Sequence, residues 1–257
     1  MSSRYQLNEE VAVVTLDRPD RYNAIDASLS ESVVADLTRA GAEARAVVLT
    51  GAGKAFCSGA DLSGFAGEYD EGGPDLARHL EDEFHPMVRA IDECAVPVVA
   101  AVNGVAAGAG MGLALRCDIR VMAESAYLTS AFTAIGLAPD SGTTWLLPRL
   151  AGASVAMEMA LTNRRMPASE ALTRGLCAEV TPDGEVVGKA IEYAAKLADL
   201  STDALVTTRR LIHGSSTLSF TEALEAEKRE QGRLGKTPAH REGVAAFLEK
   251  RKPNFRV

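Results

Sequence analysis

Pro97-Val-Val-Ala-Ala-Val-Asn-Gly-Val-Ala-Ala-Gly-Ala-Gly-Met-Gly-Leu-Ala-Leu-Arg-Cys-Asp118 decides the architecture of this chain. It reads as a short buried strand, a glycine-rich turn that presents bare backbone N–H groups, and then a helix. Those N–H groups face whatever docks at the helix start, where the helix dipole also favours negative charge. A second loop, Ala55-Phe56-Cys57-Ser58-Gly59-Ala60-Asp61-Leu62, follows another buried run from Ala46 to Thr50. Two such loops side by side supply two N–H donors to one developing oxyanion, a pattern that points to an enzyme acting on a carbonyl.

At 257 residues the chain can build one sizeable core, or a core with a smaller appendage. A hydrophobic fraction of 47% and a mean hydropathy near zero fit an ordinary soluble globular protein. The net charge of −8 argues against nucleic acid as the main partner. Cys57, Cys94, Cys117 and Cys177 lie far apart with no CxxC pair, so neither a metal site nor a disulfide framework is expected, and a reduced, cytoplasmic setting is. The uncharged run from Cys94 to Leu115 is long enough to raise a membrane span, but Pro97, Asn103 and its glycines make it a strand–turn–helix instead. Met1 to Asn8 carries no apolar signal-peptide core.

Around this centre, Tyr5 to Leu7 and Val11 to Leu16 predict a β-hairpin. Leu29, Val33, Val34 and Leu37 predict a helix over Ser28 to Ala40, with Ser28 or Ser30 as its cap. A longer amphipathic helix runs from Leu76 to Cys94, and Ile119–Met122 and Tyr127–Leu128 are short strands. Strand, strand, helix recurs without a residue-level repeat. From Glu185 onward only helical patterns follow, over 185–198, 203–212, 221–234 and 238–249. The expected organisation is a mixed α/β core over residues 1–199 and a helical module over 200–257.

Two nucleotide-binding readings fail on spacing. Gly108, Gly110 and Gly112 fall two apart with leucine at position 113, and Thr50-Gly51-Ala52-Gly53-Lys54-Ala55 lacks the first glycine and the hydroxyl residue of a phosphate loop. The bland reading, glycines that permit close helix packing, accounts for Gly108 and Gly112 but less well for the paired loops.

Taken in order, Leu16-Asp17-Arg18-Pro19 with Asn23-Ala24, the 55–62 loop, Pro97–Gly104, Cys117-Asp118 and Glu242–Arg251 resemble the crotonase, or enoyl-CoA hydratase/isomerase, superfamily. The resemblance covers essentially the whole chain. It implies a spiral of ββα units with a helical C-terminal trimerisation module, in a trimer or a dimer of trimers. It also implies an acyl-CoA substrate, with no cofactor beyond the coenzyme A that the substrate carries. By the match of motifs, the N–H groups of Ala60 and Ala109 would hold the thioester oxygen. Arg21, Ala24, Ser58, Asp61, Leu62 and Lys250 are the implied coenzyme A contacts.

The departures from the pattern are informative. Hydratases of the family use two glutamates, at positions that here hold Gly112 and Phe132. Adding water needs one group to deprotonate it and another to deliver a proton, so hydration by that route is not expected. Asp140 remains, in apolar surroundings that would raise its pKa, although a cap for the helix near Gly142 accounts for it equally well on its own. The resemblance favours the first role, because the isomerase branch places a single acid/base aspartate here. A slow or unconventional hydratase and a non-catalytic acyl-CoA-binding homologue are the rival readings. His85 is a candidate for the acyl pocket wall, Cys57 reads as an inert thiol, and Phe132 and Trp145 read as pocket or core wall.

Overall fold

The structure is a computed structural model that describes residues 2–256. β1 (Ser3–Asn8) and β2 (Val11–Leu16) form the expected antiparallel hairpin. α1 (Ala27–Glu43) follows, but neither Ser28 nor Ser30 caps it. Asp26 does, its carboxylate accepting from the Leu29 N–H at 2.8 Å. Asp26 has extended backbone and so sits outside the helix, whereas Ser30 is buried within the first turns and donates to the Glu83 carbonyl.

Three strand pairs then build the core: β3 (Ala46–Gly51) with β4 (Ala55–Cys57), β5 (Val98–Val102) with β6 (Val105–Ala107), and β7 (Ile119–Ala123) with β8 (Tyr127–Thr129). The first strand of each pair joins a six-stranded sheet of order β1-β2-β3-β5-β7-β10, and the second joins a four-stranded sheet of order β4-β6-β8-β9. β9 is Met166–Pro167 and β10 is Glu179–Thr181. Pairing is parallel except at β1/β2 and β8/β9. Repeating this unit winds the chain into the expected spiral. β3 and β5 are buried at every position, as parallel strands covered on both faces must be.

Between β4 and β5 lie a 3-10 segment (Leu62–Glu71), α2 (Leu76–His79), a π-turn (Leu80–Phe84) and α3 (His85–Asp92). The helix expected over 76–94 therefore forms with one widened turn. Its cause is Pro86, which cannot donate to the Asp82 carbonyl and whose ring would press against it. α4 (Ala109–Arg116) follows β6 and is buried along its whole length. α5 (Thr143–Ala151), α6 (Ala153–Thr162) and α7 (Ala168–Thr173) complete the core, and α8 (Val186–Ala198), α9 (Thr202–Ser215), α10 (Phe220–Leu234) and α11 (Pro238–Glu249) end the chain.

The chain divides into two compact units, Met1–Ala194 and Ala195–Val257. Among the described residues no helix is long and apolar enough to cross a membrane.

The turn between β3 and β4 is clamped by two asparagines. Asn23 is fully buried; its amide reaches the carbonyls of Ala52 and Ala55 at 2.9 and 2.8 Å, and its oxygen accepts from the Arg18 N–H. Asn103 accepts from the Gly51 N–H and donates to the Gly53 and Ala55 carbonyls. The segment that resembled a phosphate loop is thus a closed turn, its carbonyls satisfied by side-chain amides. Asn23→Ala would remove a donor from the buried Ala52 carbonyl and place alanine at a left-handed position (φ +56°). It should lower the unfolding free energy by about 2–4 kcal/mol in urea titration.

Candidate active site

The loop leaving β4 and the start of α4 touch backbone to backbone. A Cβ on Gly110 would lie 2.3 Å from the Cys57 carbonyl oxygen, and one on Gly59 would lie 3.0 Å from the Ala107 carbonyl oxygen and 3.5 Å from the Ala109 nitrogen. Gly108, the N-cap of α4, has φ +53° and ψ −128°, a conformation open to glycine. These glycines bring Ala60 and Ala109 to one cavity of about 270 Å³.

The N–H of each alanine is free for a local reason. Ile25 pairs with the loop by donating to the Gly59 carbonyl (2.7 Å) and accepting from the Asp61 N–H (2.9 Å). In a parallel bridge the intervening residue, Ala60, turns its own N–H the other way. Ala109 is the first residue of α4, where no intrahelical acceptor exists. The arrangement can therefore offer two uncommitted donors to an anionic oxygen.

The rest of the cavity is largely apolar, with Phe65, Leu80, Phe84, Phe132 and Leu137 among its walls. Among the described residues, Asp140 is the one carboxylate lining it. Asp140 does not cap α5: Gly142 holds that position and no side chain bonds there. Its carboxylate accepts from the Ser141 hydroxyl at 2.8 Å. Burial pushes its pKa above the usual carboxylate range, against that hydrogen bond and the field of His85, which pull it down. The loop bends through left-handed Ser141 (φ +50°) and Gly142 (φ +78°). It packs so closely on α4 that a Cβ at Gly112 would lie 2.6 Å from the Ser141 carbonyl oxygen. The space beside Gly112 is filled by the backbone that carries Asp140.

The remaining candidates separate. Ser58 and Leu62 line the cavity. The Asp61 carboxylate is committed to Arg18 (2.8 Å) and to the Ser63 hydroxyl (2.6 Å), and these contacts, led by Ser63, hold its pKa below the usual value. Arg21 and Ala24 lie in the adjoining loop, where the Arg21 carbonyl accepts from the Ser58 hydroxyl and the Ala24 carbonyl from the Arg18 guanidinium. Lys250 belongs to the second unit and caps α11 in left-handed backbone.

Phe132 lines the cavity as expected, but Trp145 does not. It is partly exposed and stacks with the Arg149 guanidinium 4.1 Å away, because its place on α5 turns it from the core. Cys57 is buried, with its thiol pushed up to about 12 by desolvation, which fits the inert reading. His85 does not line the cavity. It pairs with Glu81 at 3.4 Å, and His79, one and a half turns earlier, lines the wall instead. The sequence carried a trace of this, since His79 and Glu83 sit four apart on a helical pattern. Among the described residues no three His, Cys, Asp or Glu side chains gather to hold a metal ion.

Comparison with known proteins agrees with this fold. A family model described as enoyl-CoA hydratase/isomerase matches residues 6–257. A probable enoyl-CoA hydratase of Rhodobacter capsulatus is 46% identical over 98% of this chain and 96% of its own. The 1,2-epoxyphenylacetyl-CoA isomerase of Escherichia coli is 38% identical over 95% and 94%. The crystal structure of a putative enoyl-CoA hydratase/isomerase from Mycobacterium abscessus superposes with a TM-score of 0.92 at 38% identity, covering 98% of each chain. The shared ββα spiral, the paired loops and the whole-length similarity place the chain in the enoyl-CoA hydratase/isomerase family, of the crotonase superfamily.

Proposed function

We propose that this enzyme isomerises an acyl-CoA thioester through an enolate, with Asp140 as its single acid/base. The observation that carries this reading is that Asp140 alone among the cavity-lining residues bears a carboxylate. Ionised Asp140 takes a proton alpha to the thioester of a 3-enoyl-CoA. The electron pair moves onto the thioester oxygen, which the Ala60 and Ala109 N–H groups receive. Fixed donors favour that oxyanion over the neutral carbonyl and so lower the barrier by several kcal/mol. Protonated Asp140 then returns the proton at the gamma carbon, giving the 2-enoyl-CoA with no net change in atoms. The same base and donors would serve rearrangement of a ring epoxide, the reaction type named for the Escherichia coli relative. The blunt, phenylalanine-walled cavity is compatible with a compact cyclic acyl group.

Coenzyme A would lie along Ser58 and Leu62, with Arg21 and Ala24 toward its nucleotide end and Lys250 of a neighbouring copy as a phosphate contact. Asp61 would contribute backbone only, its carboxylate being occupied by Arg18 and Ser63. Exposed Ile212, Phe220, Phe247 and Leu248 in the second unit favour burial against other copies, in a trimer or a dimer of trimers.

Hydration by two carboxylates is disfavoured by packing as well as by composition. Gly112→Glu, which would restore one of them, should collide with the Ser141 carbonyl. It should lower the melting temperature, by about 1–3 kcal/mol in stability, without raising hydration of a 2-enoyl-CoA. Asp140→Asn should cut isomerisation by about 10²–10⁴-fold while acyl-CoA binding survives. Retained isomerisation, or fast hydration untouched by the change, would refute the assignment. Loss of alpha-proton exchange into D2O separates this from non-catalytic binding, which shows no exchange in the parent protein.

Because burial raises the pKa of Asp140, the base is lost as pH falls through that raised value. The acidic limb of kcat/KM should lie above the ordinary carboxylate value of about 4. His85→Gln removes a field that stabilises the carboxylate, so the limb should move further up.

A further inference from the structure

The cavity wall contains one charged cluster that the proton shuttle does not use. His79 lines the cavity from α2, with its ring tilted 52° against Phe65 and the centroids 4.7 Å apart. Behind the wall, Nδ1 lies 2.7 Å from a Glu83 oxygen on the π-turn and Nε2 lies 2.9 Å from a Glu68 oxygen on the 3-10 segment. Both nitrogens face carboxylate oxygens, which accept only. A neutral imidazole has one N–H and would set a lone pair against one carboxylate; the imidazolium donates to both.

The partners belong to different kinds of structure. Glu83 is on the helix that packs against α1, where the Ser30 hydroxyl holds its carbonyl. Glu68 is on the Leu62–Glu71 segment, which supplies Leu62 and Phe65 to the cavity. That segment is fixed at its start by the Asp61–Arg18 pair. At its far end it passes through Gly72 and Gly73, with φ of +107° and +105° and open space around both. Between these ends, Phe65 is buried and Glu68 bonds His79.

We infer that His79 is a positioning residue, a cationic latch that holds the 62–71 segment as the movable wall of the acyl chamber. The latch rests on the reading of this cavity as the acyl-CoA site. The charged groups that act on His79 are Glu83 from its own helix and Glu68 from the segment; Asp140 lines the same cavity, and the uncharged Ser30 hydroxyl of α1 holds the Glu83 carbonyl. The hydrogen bonds to Glu83 and then Glu68 raise the His79 pKa against desolvation. The contact is therefore complete at low pH and lost as pH rises through that raised value. With the latch open, Phe65 and Leu62 leave the wall and a bound acyl group loses contact area.

The test is amide hydrogen exchange of residues 62–73, corrected for intrinsic rates, at about pH 6 and about pH 9, with butanoyl-CoA affinity measured in parallel. Strand β5 serves as the folding control. In the parent protein, exchange in the segment should rise about tenfold at the higher pH, and affinity should fall. Glu68→Gln and His79→Gln should exchange fast at both values and lose the pH dependence. Glu68 is partly exposed, so Glu68→Gln tests the latch without challenging the core. A segment that stays equally protected in both variants, or a parent protein with no pH response, overturns the latch. A segment that opens as expected while affinity stays constant upholds the latch and overturns the assignment of this cavity to the acyl group.

Discussion

The structure depends on one contact made without side chains. The first turn of α4 presses on the loop leaving β4 so closely that Gly110 has no room for a larger residue, and Gly59, at φ +95°, makes a tight contact of its own. A methyl group at Gly110 would meet a carbonyl carbon and oxygen that cannot rotate away. The contact joins the two loops that follow the ends of parallel strands in different units of the spiral. It leaves two N–H groups unpaired at a shared wall, one by the geometry of a parallel bridge and one by the geometry of a helix start. The donors belong to the backbone, so their placement is as rigid as the sheets behind them.

That rigidity divides the site into fixed and adjustable parts. The turn that leads into β4 is locked by Asn23 and Asn103, which satisfy its carbonyls. The Asp140 loop is locked from the other side, where its backbone fills the space above Gly112. The wall that carries Leu62 and Phe65 is different: it is built from a 3-10 segment, a π-turn and two glycines with nothing against them. On the proposed reading, chemistry sits on the stiff half and acyl recognition on the compliant half, the usual division between catalytic precision and substrate range.

Electrostatics sharpen the same division. Within the cavity a carboxylate loses hydration and gains one hydroxyl partner, so Asp140 holds its proton more readily than an exposed aspartate. Asp61, only a residue from Ala60, is pulled the opposite way by Ser63 and Arg18. Two aspartates close to the same pair of loops are therefore pulled in opposite directions, one by burial and one by its partners. Their residue type is identical, and only the partners separate them.

The sequence by itself determined the strand runs, the order strand–strand–helix, the glycine loops and the two absent glutamates. Each is a local property: a run of Val and Ala has no good solvent-exposed solution, and a missing carboxylate is missing in any fold. It also left Asp140 balanced between a helix cap and a base, placed the α1 cap on serine, put Trp145 in the interior, and pointed to His85 where His79 lines the wall. Those questions turn on direction rather than composition. Which way a side chain points from a π-turn, whether a residue before a helix reaches its N–H groups, and what a glycine's missing Cβ would have struck are set by elements distant in sequence. Tertiary structure decided them because packing fixes orientation, and orientation, not residue type, separated a cavity-facing aspartate from a capping one.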